Sequence, residues 1–262
     1  MRLAHVTDFH LGLKGVSASG EPLDPLHVAR AVAEDLAAIS DALDLVVVSG
    51  DLTDRAEPRA FAEFEALFRE IALPIFAIPG NHDGPRGFHA YSEASPVFAE
   101  WNLTNRVIEV EGVRFLGLDT CIERVTQGRL DEAGLALFET EVARDDGNRL
   151  VVVMHHPPLL LGLDQFDGFC RLEGRERFLD IANAAQEEVI TLAGHVHRPY
   201  TAREGRIACF VAGSMIAPHD SALPFGDLPI RPTTFQDFYD IHDIAPGGRH
   251  VVTPQRVRAL AP

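Results

Sequence analysis

Leu45-Val46-Val47-Val48-Ser49-Gly50-Asp51-Leu52-Thr53-Asp54 joins an unbroken apolar run to a glycine and two carboxylates. Four aliphatic residues in succession, with no polar alternation, read as a strand covered on both faces. Gly50 then marks a tight turn, so Asp51 and Asp54 fall just past the strand's carboxyl end. That edge is where open αβ sheets bind their ligands.

The same reading extends along the chain. Strands are expected at residues 3–6, 45–48, 75–78, 113–118, 150–154, 189–193 and 207–212. Between them lie helical spacings. Val28, Val32, Leu36, Ile39 and Leu43 share one face, with Asp24-Pro25 supplying an N-cap and a first-turn proline. Phe61, Phe64, Phe68 and Ile71 form a second face, Leu135, Phe138 and Val142 a third, and Phe178, Ile181 and Ala185 a fourth. Such alternation makes a layered αβ domain. Beyond Ser214, prolines at 218, 224, 229, 232 and 246 break regular structure, and residues 238–244 and 250–257 read as closing strands. The expected division is a catalytic core over residues 1–213 and a Pro-rich extension over 214–262. That extension is either part of the same domain or a small cap or homo-oligomer contact.

Polar residues recur at the strand ends. Asp8-Phe9-His10 follows the first strand, Gly80-Asn81-His82-Asp83 the third, His155-His156-Pro157-Pro158 the fifth and Gly194-His195-Val196-His197 the sixth. A single such cluster is ordinarily a helix cap or a turn, and Asp54 or Asp83 alone would fit a cap. Recurrence at one edge points instead to a shared site. Imidazole, carboxylate and amide oxygen, without thiolate, suit divalent metals such as Zn, Mn, Fe or Co. The supply exceeds what one ion needs, so a pair about 3.5–4 Å apart is expected, with Asp51 the natural bridge. His195 and His197 need a local turn to aim both inward, which Gly194 is expected to permit.

Composition limits the partners. The 262 residues are 46% hydrophobic and 24% charged, a globular balance. With 39 acidic against 23 basic residues the formal net charge is −16, which disfavours nucleic acid and anionic membrane surfaces. No run approaches the roughly 20 apolar residues of a membrane span. The N-terminus reads as a strand from the start, without the apolar core of a signal peptide. Cys121, Cys170 and Cys209 are widely spaced, so a reduced, cytoplasmic location is expected. Cys121 is expected to be inert. His5, His27, His89, His219, His242 and His250 are expected at the surface or in packing, and the aromatics around Phe88, Tyr91 and Trp101 in the core rather than a substrate pocket. Arg55 and Arg198, beside the clusters, either reach phosphate or form surface salt bridges.

Asp8-x-His10, Gly50-Asp51-x-x-Asp54, Gly80-Asn81-His82-Asp83, His155 and Gly194-His195-x-His197 stand in the order that resembles the calcineurin-like metallophosphoesterase superfamily. The spacing, the Met154-His155-His156-Pro157-Pro158 block and the Gly194-His195-Val196-His197-Arg198-Pro199 block are most similar to its cyclic-nucleotide and glycerophosphodiester phosphodiesterase branch. The resemblance implies a four-layer αββα sandwich holding two divalent ions. It places Asp8, His10, Asp51 and His197 on one ion, and Asp51, Asn81, His155 and His195 on the other. His82 would contact phosphate and protonate the leaving oxygen, with Asp83 orienting it. Asp54 would be structural or a support to the ligands, and His156 would support the ligands or face substrate.

The implied reaction is hydrolysis of a small phosphodiester by attack of a metal-activated hydroxide. A phosphomonoesterase or nucleotidase on the same site is the alternative, and a non-catalytic scaffold of the same fold a third reading. Two doubly charged ions against two carboxylates leave a local surplus of positive charge, enough to hold an anion within an acidic protein.

Overall fold

The computed structural model describes residues 1–17, 20–144, 146–162, 167–168, 171–220, 231–232, 236–245 and 248–260. Along the chain run β1 (Arg2–Val6), α1 (Pro25–Ala38), β2 (Leu45–Val48), α2 (Pro58–Phe68), β3 (Ile75–Ala77), α3 (Pro85–Ala94) and α4 (Pro96–Trp101). The second half carries β4 (Val107–Val110), β5 (Val113–Leu118), β6 (Gly128–Arg129), α5 (Glu132–Val142), β7 (Arg149–Met154), β8 (Leu172–Glu173), α6 (Arg175–Asn183) and β9 (Val189–Ala193). It closes with β10 (Tyr200–Glu204), β11 (Ile207–Val211), β12 (His219–Asp220), β13 (Arg231–Pro232), β14 (Phe238–Ile244) and β15 (His250–Arg256).

Two sheets carry the fold, in the orders β15-β14-β1-β2-β3 and β10-β11-β9-β7-β5-β4. In the first, β1, β2 and β3 are parallel and β14 is antiparallel to β1, with Leu3 opposite His242. In the second, β5, β7, β9 and β11 are parallel and the two edge strands antiparallel.

The period of two along a strand builds the layers. On β2, Leu45 and Val47 join Phe115, Val151, Val153 and Leu192 between the sheets. Val46 and Val48 point the other way, into a cluster with Val32 and Leu36 of α1 and Phe61, Phe64 and Phe68 of α2. On the far face of the second sheet, Val152 and Met154 pack with Phe138 of α5 and Phe178 of α6. The result is helices, sheet, sheet, helices: the αββα sandwich.

The expected N-cap is present, with Asp24 accepting from the His27 N–H at 3.0 Å. Helices α3 and α4 are additional to the sequence reading. Each opens with a proline at its first turn, and Ser95 caps α4 by accepting from Phe98 N–H at 3.3 Å. Their aromatics Phe88, Phe98 and Trp101 are buried in the α1–α2 cluster, so they pack the core. The tail strands complete the first sheet through β14 on β1. Most of the Pro-rich excursion, including residues 221–230, lies outside the described residues, as does Cys170. Among the described residues, no helix is long and apolar enough to cross a membrane.

Candidate metal centre

All five clusters meet at one end of the sandwich, each on the loop that follows its strand. The backbone there is strained: φ is 55° at Asp8, 46° at His10, 52° at Asp51, 74° at His195 and 57° at His197. Left-handed conformations at non-glycine residues persist only where surrounding structure enforces them, and they concentrate at functional sites. His195 and His197 make their inward turn with their own backbone, not through Gly194 as expected. Gly194 serves close approach instead, since a Cβ there would lie 2.1 Å from Thr7 Oγ1 and 2.6 Å from Asp8 Oδ2.

Single backbone carbonyls fix the imidazoles. His155 Nδ1–H donates to Ser49 O at 2.8 Å and His197 Nδ1–H to Ala217 O at 2.8 Å. In the neutral rings each Nε2 is then a bare lone pair. Those lone pairs point at other acceptors. His155 Nε2 lies 3.1 Å from Asn81 Oδ1 and 3.4 Å from Asp51 Oδ2. His195 Nδ1 is 2.9 Å from the same Asn81 oxygen. His197 Nε2 lies 2.8 Å from His10 Nε2 and 3.4 Å from Asp8 Oδ1, and His10 Nε2 is 3.5 Å from Asp51 Oδ2. Ligand atoms of Asp8, His10, Asp51 and His197 all lie within 4.8 Å of one another. Imidazole, carboxylate and amide ligand atoms thus converge in one buried cluster, a donor set that fits divalent ions.

The carboxylate of Asp51 makes this cluster favour positive charge. Burial works against ionising Asp51, yet His155, His10 and His82 overcome it and hold its carboxyl well below the ordinary range. Burial alone would lower His155, but Asp51 and Asp8 carry it up to about 9. Burial, opposed by His155 and aided by the charge of Asp51, raises Asp8 to about 7. Burial pushes His10 well down and His197 to about 4, leaving neutral rings of the kind metals bind.

Asp83 does not orient His82. Its buried carboxylate accepts from the N–H groups of Leu52 at 3.1 Å, Thr53 at 2.8 Å and Gly80 at 2.9 Å, and from Thr53 Oγ1 at 3.0 Å. It ties the Asp51 loop to the Asn81 loop and is shielded from any substrate. Asp54 takes the orienting place: His82 Nδ1–H donates to Asp54 O at 3.1 Å, with Asp54 Oδ1 at 3.4 Å. Nor does His156 face substrate. Its ring is buried, pairing with Thr120 Oγ1 at 2.7 Å and donating to Thr126 O at 2.9 Å. His82, by contrast, has a side chain 43% exposed and lines a cavity of about 420 Å³ beside Asn81. Cys121 is half-buried, its thiol pushed well up by burial and by Asp119, and so unreactive.

The supports that sequence reasoning missed are main-chain groups. Ser49 O and Ala217 O carry no residue signature. The Ser214 hydroxyl, which donates to Asp8 O at 2.8 Å and accepts from Ala217 N–H at 3.2 Å, lies far off in sequence.

The model of the calcineurin-like phosphoesterases matches residues 1–199, ending just past His197. The chain belongs to the calcineurin-like phosphoesterase family. Among its relatives, a probable glycerophosphodiester phosphodiesterase of Arcobacter nitrofigilis is 30% identical over 171 residues, 65% of this chain and 63% of that protein. The chain thus spans less than two thirds of that relative's length. A probable cyclic nucleotide phosphodiesterase of Rhodococcus erythropolis is 27% identical, covering 98% of this chain and 87% of its own. Among solved structures, a dimetal phosphatase from Danio rerio superposes with a TM-score of 0.69 at 11% identity, covering 98% of this chain and 96% of its own, a likeness of fold. For this calcineurin-like phosphoesterase, the family match covers every strand-end cluster and leaves β10–β15 beyond it.

Proposed function

We propose that the chain hydrolyses small phosphodiesters, of the cyclic nucleotide or glycerophosphodiester type, at a pair of divalent ions drawn from manganese, iron, zinc and cobalt. Asp8, His10, Asp51 and His197 would hold one ion, and Asp51, Asn81, His155 and His195 the other, with Asp51 between them. The observation that carries this reading is the convergence of imidazole, carboxylate and amide ligand atoms across the strand ends. Two such ions lower the pKa of a water and polarise phosphoryl oxygens.

The chain's own groups do the rest. Asp83 holds the Asp51 and Asn81 loops in register. His82 presents Nε2 to the cavity, because Nδ1 is taken by Asp54. A proton held at Nε2 suits a diester, whose alkoxide leaves poorly without one. The names of the relatives, both phosphodiesterases, support the diester over the monoester. The free thiols of Cys121 and Cys209 support a reducing compartment such as the cytoplasm.

Reconstitution with each metal, followed by assay on bis(p-nitrophenyl) phosphate and p-nitrophenyl phosphate, tests the reading. The diester is expected to react faster, with about two ions bound per chain. Asn81→Ala should retain about one ion and lose at least about tenfold in turnover. Faster monoester cleavage would overturn the diester assignment. Inactivity with every metal, and no bound ion, would leave a scaffold.

A further inference from the structure

The chain leaves β11 through Ala212, whose N–H donates to Ala193 O at 3.0 Å, and then turns over residues 213–217. That turn lies beyond the family match, which ends at residue 199. Ser214 builds it. Its hydroxyl accepts from Ile216 N–H and Ala217 N–H, both at 3.2 Å, the local side-chain turn that serine favours. It donates its proton to Asp8 O at 2.8 Å. A hydroxyl offers one donor and two acceptor positions, so this wholly buried side chain is fully used. Met215 beside it packs into the cluster of Phe9, α1 and α2. Gln236 closes over Gly213, where an added Cβ would lie 2.2 Å from its Oε1. The turn is thus held from both sides.

Both ends of this bridge reach candidate ligands of the same ion. Asp8 sits at φ 55°, a conformation its surroundings must enforce, and two bonds enforce it. Its N–H donates to Gly50 O at 3.0 Å, and its carbonyl accepts from Ser214. Ala217 O receives His197 Nδ1–H at 2.8 Å, which leaves Nε2 facing Asp8 Oδ1 at 3.4 Å. One hydroxyl therefore fixes the backbone of one ligand and the carbonyl that orients another. The ligands assigned to the other ion hang on different supports. His155 is held by Ser49 O at 2.8 Å, and Asp83 ties the Asp51 loop to the Asn81 loop. His195 N–H meets Asp8 through the carboxylate, a bond that does not involve Ser214.

We infer that Ser214 is a positioning residue for one ion of the pair. It sets the affinity of the site formed by Asp8, His10, Asp51 and His197, and leaves the site of Asn81, His155 and His195 unaffected. The inference rests on the two-ion reading proposed above. Without the hydroxyl, the Asp8 carbonyl and two N–H groups lose their buried partner, and the first site loses its shape. One half of the metal centre is then completed by a turn outside the family match.

Titration of the full-length, metal-stripped chain with cobalt(II), followed by visible absorption and calorimetry, tests it. Asn81→Ala isolates the first site and His10→Ala the second. Adding Ser214→Ala to Asn81→Ala is expected to raise the cobalt Kd by roughly 10- to 100-fold, the range for residues that support metal ligands. Adding it to His10→Ala should change Kd by no more than about twofold, as for independent sites. Ser214→Cys keeps the volume with a weaker donor, and its Kd in the Asn81→Ala background should fall between those of serine and alanine. It replaces Ser214→Ala in both backgrounds if circular dichroism shows the alanine variant unfolded. A general loosening of the fold would weaken both sites alike, so equal losses in the two backgrounds overturn the inference. An unchanged Kd in the Asn81→Ala background overturns it as well. If the unsubstituted chain takes up no cobalt, the two-ion reading itself fails, and the role of Ser214 falls with it.

Discussion

His82 and Asp83 stand side by side in sequence and do opposite work. His82 N–H is fixed by Asp51 Oδ1 at 2.8 Å, which turns its ring outward, while Asp83 folds back to accept from Gly80 N–H. The family resemblance implies that Asp83 orients His82, but consecutive side chains in such a turn diverge, and Asp54 from another loop fills the role. His82→Ala should therefore keep its metal content and slow hydrolysis by roughly 100-fold for alkyl diesters, with a smaller loss for nitrophenyl esters. Turnover plotted against leaving-group pKa, with metal analysis of the same samples, reads this out. Equal slowing at every leaving group would contradict a proton-donor role. The candidate ligands themselves were legible, because side-chain chemistry after a strand is written in residue identity. The carbonyls that set the tautomers were not, since Ser49 O and Ala217 O are common to any residue.

Pairing between elements is where the sequence was least readable. The unbroken apolar run of β2 marked its two buried faces, but nothing local shows that β14 returns from the far end of the chain to pair with β1. That return buries His5 of β1 against His242 of β14, whose ring also meets Phe210 of β11, with His250 of β15 against His242 and Phe210. His5 Nε2 meets Ser49 Oγ at 2.8 Å and His242 Nδ1 meets His250 Nε2 at 2.9 Å. Burial drives His5 down to about 3, His242 well below the ordinary range and His250 to about 4; Arg149 and Arg203 also lower His250, and Asp243 opposes them. Depressed values mean the unfolded chain binds more protons below about pH 6.5. Stability from these rings is thus present above that pH and lost as pH falls towards 4 and 3. At about 1.4 kcal/mol per pH unit of displacement, the loss is on the order of a few kcal/mol. Thermal melts should show Tm falling from pH 6.5 to pH 4, and falling less steeply in His242→Phe. Identical slopes in the two proteins would place the acid sensitivity elsewhere.

Across the whole molecule the formal net charge of −16 acts against any anionic substrate at long range, while the ion pair proposed at the strand ends attracts at contact. The two influences separate by distance. Screening length falls from about 30 Å at 0.01 M salt to about 10 Å at 0.1 M, so added salt removes the distant repulsion first. Direct contact between phosphoryl oxygens and buried cations is screened far less. For an anionic diester, kcat/KM should therefore rise about two- to threefold between 10 and 150 mM of an inert salt, with kcat nearly constant. Initial rates at sub-saturating and saturating substrate, taken across that series, separate the two parameters. A fall in kcat/KM with salt would mean that the positive field of the site reaches beyond its mouth and steers substrate inward. The same series run on an uncharged phosphotriester that competes for the site should show no salt dependence in its inhibition, because neither field acts on a neutral molecule. The acidic surface would then limit how substrates arrive, and the strand-end cluster would decide which ones stay.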